Sequence, residues 1–224
     1  MKKIKYPDAE MMAMDLADIL ASEINDALHN KDRVTLVVSG GTTPGPIFDI
    51  LCGVHLDWDR VTIMLTDERW VPETSERSNT RLLRERLLVD QAAAATYIPL
   101  YKDADSIEAA LPDLSGAIGP LLPIDILLLG MGEDMHTASL FPGADNLAQA
   151  FDAHAPLLLA MRASGADEPR VTLTAPVLRD AMSTHVVFTG KTKNKAVKEA
   201  RKINDPMVAP ISAFLKGSCV HWAP

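Results

Sequence analysis

The run Val34-Thr35-Leu36-Val37-Val38 is apolar or β-branched throughout and stops abruptly at Ser39-Gly40-Gly41. Such a segment offers no polar face to water, so it reads as a strand buried on both sides that enters a tight turn. The pattern recurs along the chain. Residues 61–66 form a second strand that opens into the polar segment 67–79, and residues 124–129 form a third that meets Gly130. Residues 185–189 precede Gly190 in the same way, and a last short strand includes Cys219 to Trp222.

Helical patterns lie between these strands. Met12, Leu16, Ile19, Leu20, Ile24, Ala27 and Leu28 are spaced for one face of a helix over residues 9–28, with acids on the other face. Residues 44–52, the stretch holding Leu83 and Leu87, a short segment ending at Ala181 and a Lys-rich segment through Ile203 read as further helices. Alternation of this kind predicts an α/β fold: a three-layer open sheet, mainly parallel and Rossmann-like, with helices on both faces. No linker or repeat divides the 224 residues, so a single domain over 1–224 is expected. Residues 91–95 and 103–123 carry no legible pattern, the second stretch being broken by Pro112, Gly116, Gly119 and Pro120.

A net charge of −8 with no basic run argues against a nucleic-acid surface. An anionic ligand would therefore need cations gathered locally. Two cysteines, Cys52 and Cys219, form no CxxC pair and no disulfide framework, which fits reduced thiols in a cytoplasmic protein. No apolar run is long enough for a membrane span, and no membrane partner is expected. The histidines His29, His55, His154, His185 and His221 are scattered singly and read as surface or strand-end residues, so no metal site is expected.

In an open parallel sheet, ligands bind beyond the carboxyl ends of the strands, where the polar turns lie. Gly40, Gly41 and Thr42 in the first turn offer backbone N–H groups and a hydroxyl suited to phosphate; the plainer reading is a tight turn whose threonine caps a helix. Asp67, Glu68 and Arg69 follow the second strand directly and are costly to bury unless paired or ligand-facing; Ser78-Asn79 comes soon after. The turn after the third strand, Gly130-Met-Gly-Glu-Asp-Met-His136, sets Asp134 two residues before His136, a pairing that can orient a general base. Arg170, ahead of an alternating Val-Thr-Leu-Thr run, and Lys193 after Gly190 complete the candidate cations.

Taken in order, SGGTTP, TDERWVP with a following SN, GMGEDMHTASLFPG, RVTLT and GKTK resemble the 6-phosphogluconolactonase family over nearly the whole chain. The related glucosamine-6-phosphate deaminases share the layout but differ after the histidine and carry DEY where this chain has Asp67-Glu68-Arg69. The resemblance implies hydrolysis of 6-phospho-D-glucono-1,5-lactone in the pentose phosphate pathway, without cofactor, by a monomer or homodimer. It implies His136 as base for direct water attack, Asp134 as its orienting carboxylate and Arg69 near the carboxyl end of the substrate. Gly40, Gly41, Thr42, Asp67, Asn79, Arg170 and Lys193 would hold the phosphorylated sugar lactone, with the assignment of Arg69 and Arg170 to its two ends left open by the sequence. An amino-sugar-phosphate deaminase or isomerase, and a non-catalytic sugar-phosphate sensor, are the rival functions. An acyl-enzyme through Ser139 is disfavoured because no G-x-S-x-G elbow is present. Two departures stand out: Met135 occupies the place of the family's glycine before the histidine, and Ile211 follows a proline where a small residue is usual. A methionine is strained there if the backbone takes φ > 0.

Overall fold

The structure is a computed structural model that describes residues 1–164 and 166–224. Seven strands form one sheet: β1 (Lys2–Lys5), β2 (Val34–Val38), β3 (Val61–Leu65), β5 (Thr96–Ile98), β6 (Ile126–Leu129), β9 (Ser183–Thr189) and β10 (Cys219–Ala223). Their order is β1-β10-β9-β6-β2-β3-β5, and every adjacent pair is parallel. All residues of β2, β3 and β6 are buried. Because successive side chains of a strand point to opposite faces, both faces must be covered, as the continuous apolar runs require. Helices α1 (Ala9–Leu28) and α2 (Gly45–Leu51) pack on each other, with α1 also lying on β2, β6 and β10; α7 (Lys191–Ile203) packs on β9.

The sequence reading of 67–79 as a purely polar turn is corrected. Asp67–Arg69 forms β4, which pairs antiparallel with β8 (Arg170–Leu173), and β8 pairs antiparallel with β7 (Leu158–Met161). This small second sheet lies over the strand ends and carries charged residues to them.

Further elements escaped the sequence reading, among them β1, β5 and one long helix. β1 sets Lys2, Lys3 and Lys5 around Ile4 at the sheet edge, where lysines blunt unwanted pairing. β5 is only three residues long. Helix α4 (Ile107–Ile118) has Pro112 inside it, yet buries Ile107, Ala110, Leu114 and Ile118 at helical spacing. Pro112 sits on the exposed side, where water can satisfy the carbonyl that its missing N–H leaves free.

Candidate active site

Four consecutive strands of the sheet, β9-β6-β2-β3, deliver their following turns to one edge. Between β2 and β6 the chain order reverses direction across the sheet, the place where crevices open in such folds. A crevice of about 210 Å³ lies there. Ser39 fixes its floor, donating from its backbone N (2.9 Å) and its hydroxyl (3.2 Å) to the Leu128 carbonyl.

The crevice wall includes Gly40, Gly41 and Thr42 from the first turn, Asp67 and Arg69 from β4, and Asn79 from the start of α3 (Asn79–Arg86). His136, Arg170 and Lys193 complete it, so one site holds residues from the segments that follow β2, β3, β6 and β9, together with Arg170 from β8. Gly41 takes φ +100, and a Cβ on Gly40 would collide with the Asn79 side chain, so both positions need glycine. Thr42 does not cap α2: the cap position is Pro44, with no side-chain hydrogen bond. Its hydroxyl is left to the crevice. Lys193 lies in the first turn of α7, while Lys195 does not reach the crevice wall.

Arg69 and Arg170 are register partners across β4 and β8, both facing the crevice. Like charges directly opposite on a ladder repel. The Nε atoms of both are buried without a hydrogen-bond partner among the described residues. Arg69 Nη1 donates to the Arg77 carbonyl at 2.5 Å. Arg170 lies over the Phe141 ring at 5.2 Å and 3.9 Å from the Asp67 carboxylate. Burial lowers the pKa of Arg170, and Arg69 pushes the same way against Asp67. Two part-desolvated guanidinium groups with unused donors form a site that an anion would complete.

Asp67 and Asn79 also serve the protein itself. The Asp67 carboxylate accepts from Ser139 Oγ at 2.5 Å and Thr66 Oγ1 at 2.8 Å, and Asn79 Nδ2 donates to the Asp67 carbonyl. Ser139 is fully buried and turned to Asp67, which leaves it unfit to attack a substrate in the crevice.

Glu68, named in sequence but given no role there, ties this wall together. Its carboxylate accepts from the backbone N of Arg69, Asn79 and Thr80 and from the hydroxyls of Ser78 and Thr80. Burial pushes its pKa up, and the hydrogen bonds from Asn79 and Thr80 oppose that shift. A buried acid among several polar residues just past a strand was the available signal.

The histidine turn is closed by Gly132 N donating to the His136 carbonyl (3.0 Å) and by Thr137 Oγ1 donating to the Gly130 carbonyl (2.8 Å). A Cβ on Gly132 would strike both His136 and Asp134. Asp134 does not line the crevice; it holds the histidine from behind. Its Oδ1 lies 2.5 Å from His136 Nδ1 and 3.2 Å from the His136 backbone N. An ionised carboxylate only accepts, so Nδ1 carries the hydrogen and Nε2 keeps the lone pair. Burial raises the Asp134 pKa, but the hydrogen bonds and charge of His136 outweigh it and hold the carboxyl below its ordinary 3.8. The His136 ring leans on Phe141, with centroids 4.3 Å apart.

Met135 takes φ +68, so the methionine occupies the left-handed conformation anticipated as strained. Its carbonyl accepts from Ile211 N at 3.1 Å, which links the two positions where the sequence departs from the family pattern.

The reading of the remaining histidines holds for His29, His55 and His154, which are exposed. It is corrected for His185 and His221. These are buried, adjacent on β9 and β10, and 3.0 Å apart from ring nitrogen to ring nitrogen.

The fold is a mainly parallel α/β sheet with a cation-lined crevice at its strand ends, and comparison with known proteins places the chain within a family. Residues 7–222 match the family described as glucosamine-6-phosphate isomerases/6-phosphogluconolactonase, and the chain belongs to it. A 6-phosphogluconolactonase of Rhizobium meliloti (strain 1021) is 39% identical over 225 residues, covering 98% of this chain and 97% of the relative. One from Pseudomonas aeruginosa is 39% identical over 222 residues, with 98% and 93% covered. The crystal structure of a 6-phosphogluconolactonase from Shewanella baltica OS155 superposes with a TM-score of 0.96 at 31% identity, over 100% of this chain and 97% of that one.

Proposed function

We propose that this protein is a lactone hydrolase that converts 6-phospho-D-glucono-1,5-lactone to 6-phospho-D-gluconate, the hydrolytic step of the oxidative pentose phosphate pathway. The observation that carries the reading is the facing pair Arg69 and Arg170, with unused buried donors, in the same crevice as His136 and its Asp134 partner. Full-length relatives bearing the 6-phosphogluconolactonase name support it.

In this reading His136 Nε2 takes a proton from a water that attacks the lactone carbonyl. Asp134 holds the ring and stabilises the imidazolium that forms. The carbonyl oxygen gains negative charge during attack, and a fixed cation or N–H donor lowers the cost of that charge; in this reading Arg69 takes that role. When the tetrahedral intermediate collapses, the bond from the carbonyl carbon to the ring oxygen breaks, and that oxygen takes the proton from the His136 imidazolium to leave as the C5 hydroxyl. Arg170, Lys193 and the Gly40-Gly41 turn take the phosphate, focusing positive charge in a protein whose net charge repels the substrate. Asp67 and Asn79 hold Arg170 and the Gly40 turn in place.

No helix is long and apolar enough to cross a membrane among the described residues. We infer a cytoplasmic setting, with the phosphorylated lactone as partner and no nucleic acid, as a monomer or homodimer. A coupled assay following lactone loss, run beside ammonia release from glucosamine 6-phosphate, tests the function. Lactone loss well above the spontaneous rate is expected, with no ammonia; the opposite result makes the protein a deaminase.

A further inference from the structure

The β9–β10 pairing sets His185 directly opposite Cys219, and His221 stands two residues beyond Cys219 on the same face. One donor atom from each of the three lies within 4.8 Å of the other two. His185 Nδ1 and His221 Nε2 point at each other, 3.0 Å apart.

The outward nitrogens decide what sits between them. His185 Nε2 faces both Glu23 carboxylate oxygens at 3.0 and 3.1 Å, with Ser183 Oγ at 3.2 Å. Carboxylate oxygens accept, so this nitrogen carries the hydrogen. His221 Nδ1 faces the Tyr6 hydroxyl at 2.9 Å, and that hydroxyl donates its own hydrogen to Asp15 at 2.5 Å. The phenol oxygen is therefore the acceptor and His221 Nδ1 the donor. Both inner nitrogens then present lone pairs to each other in a buried site, an arrangement that a cation between them would relieve.

We propose that His185 Nδ1, His221 Nε2 and Cys219 Sγ bind a divalent transition-metal cation of the zinc class. Two imidazoles and a thiolate suit zinc, and each metal-bound histidine donating its other N–H outward is the usual support for such a centre. Here Glu23 and the Tyr6–Asp15 pair supply that support. Zinc bond lengths place ligand atoms about 3.3–3.8 Å apart, so the cluster closes with small side-chain adjustments. Half-exposed Cys219 provides the entry side and room for a water as fourth ligand. His185 and Cys219 stand near the beginnings of their strands, whereas the crevice lies beyond the strand ends. Asp15 and Glu23 both belong to α1. The metal therefore fastens α1 to the two strands and takes no part in turnover.

The test is a titration of chelator-treated full-length protein with Co²⁺, followed by competition with Zn²⁺. A thiolate-to-cobalt absorption band saturating at one equivalent is expected, lost in Cys219→Ser and kept in Cys52→Ser. Glu23→Gln is expected to weaken Zn²⁺ binding about 10- to 100-fold while the protein stays folded. Zn²⁺ should raise the Tm of the wild type while kcat stays unchanged with or without chelator. Absence of a saturable band, a band that survives in Cys219→Ser, or unaltered affinity in Glu23→Gln overturns the proposal; the inner nitrogens then share a proton instead.

Discussion

Arg69 and Arg170 face one another across the β4–β8 ladder as direct register partners, each with a buried Nε that has no hydrogen-bond partner among the described residues. The free protein thus holds a repulsion that an anion removes. Inorganic phosphate at 100 times its Kd adds about 2.7 kcal/mol to stability by mass action. The expected outcome is a clear rise in wild-type Tm with phosphate and a much smaller one in Arg170→Ala. The same variant should raise KM roughly 10- to 150-fold, matching about 1.5–3 kcal/mol for a lost charge-assisted contact. Lys193→Ala should act in the same direction. An unchanged phosphate response in both variants would move the anion site elsewhere.

Replacing His136 with alanine removes the proposed base and leaves the Arg69–Arg170 pair in place. We expect kcat to fall ~10²–10⁴-fold with little change in KM, once spontaneous lactone opening is subtracted. Retention of more than about a third of wild-type kcat would assign the base to another group.

Asp134 provides a pH test. Its carboxyl is held below its ordinary 3.8 by His136, so its contribution to stability is complete above that value and disappears as pH falls through the lower folded-state value. Between neutral pH and pH 5 the Asp134 carboxylate therefore stays ionised and available to the His136 ring. In Asp134→Asn the imidazolium loses its carboxylate partner. The plateau of kcat/KM should drop, and the share of stability that the wild type loses below pH 3.8 through this pair should be absent. A plateau that stays where it was would reduce Asp134 to a structural part.

Met135 at φ +68 gives a test of backbone strain. Met135→Ala and Met135→Gly both delete the half-buried side chain, but only glycine relaxes the left-handed backbone. The glycine variant should be more stable than the alanine variant by about 1 kcal/mol in urea unfolding, the reverse of the usual order. Equal midpoints would mean that the loop costs nothing to hold.

The central strands were legible because β2, β3 and β6 are buried on both faces and so are apolar at every position. The site was legible for a related reason. Polar turns that follow parallel strands must gather at one sheet edge, and Gly40, Asp67, His136 and Lys193 do so. What was hidden depends on partners distant in sequence. Asp67–Arg69 reads as a turn because three charged residues carry no strand periodicity; its strand character comes from β8, about a hundred residues later. Pro112 and neighbouring glycines masked α4, whose buried residues alone keep helical spacing. His185 and His221 looked isolated because only the β9–β10 register brings them together.

The first strand of the chain has the last strand as its partner: Lys2 pairs with Cys219 and Lys5 with Trp222. During synthesis β1 therefore has no neighbour until the other strands of its sheet have been made. Its lysines keep it hydrated through that interval. A nascent chain that has not yet exported β10 leaves one side of β9 bare, its backbone open to pairing with other chains. Closure of that side of the sheet thus waits for β10.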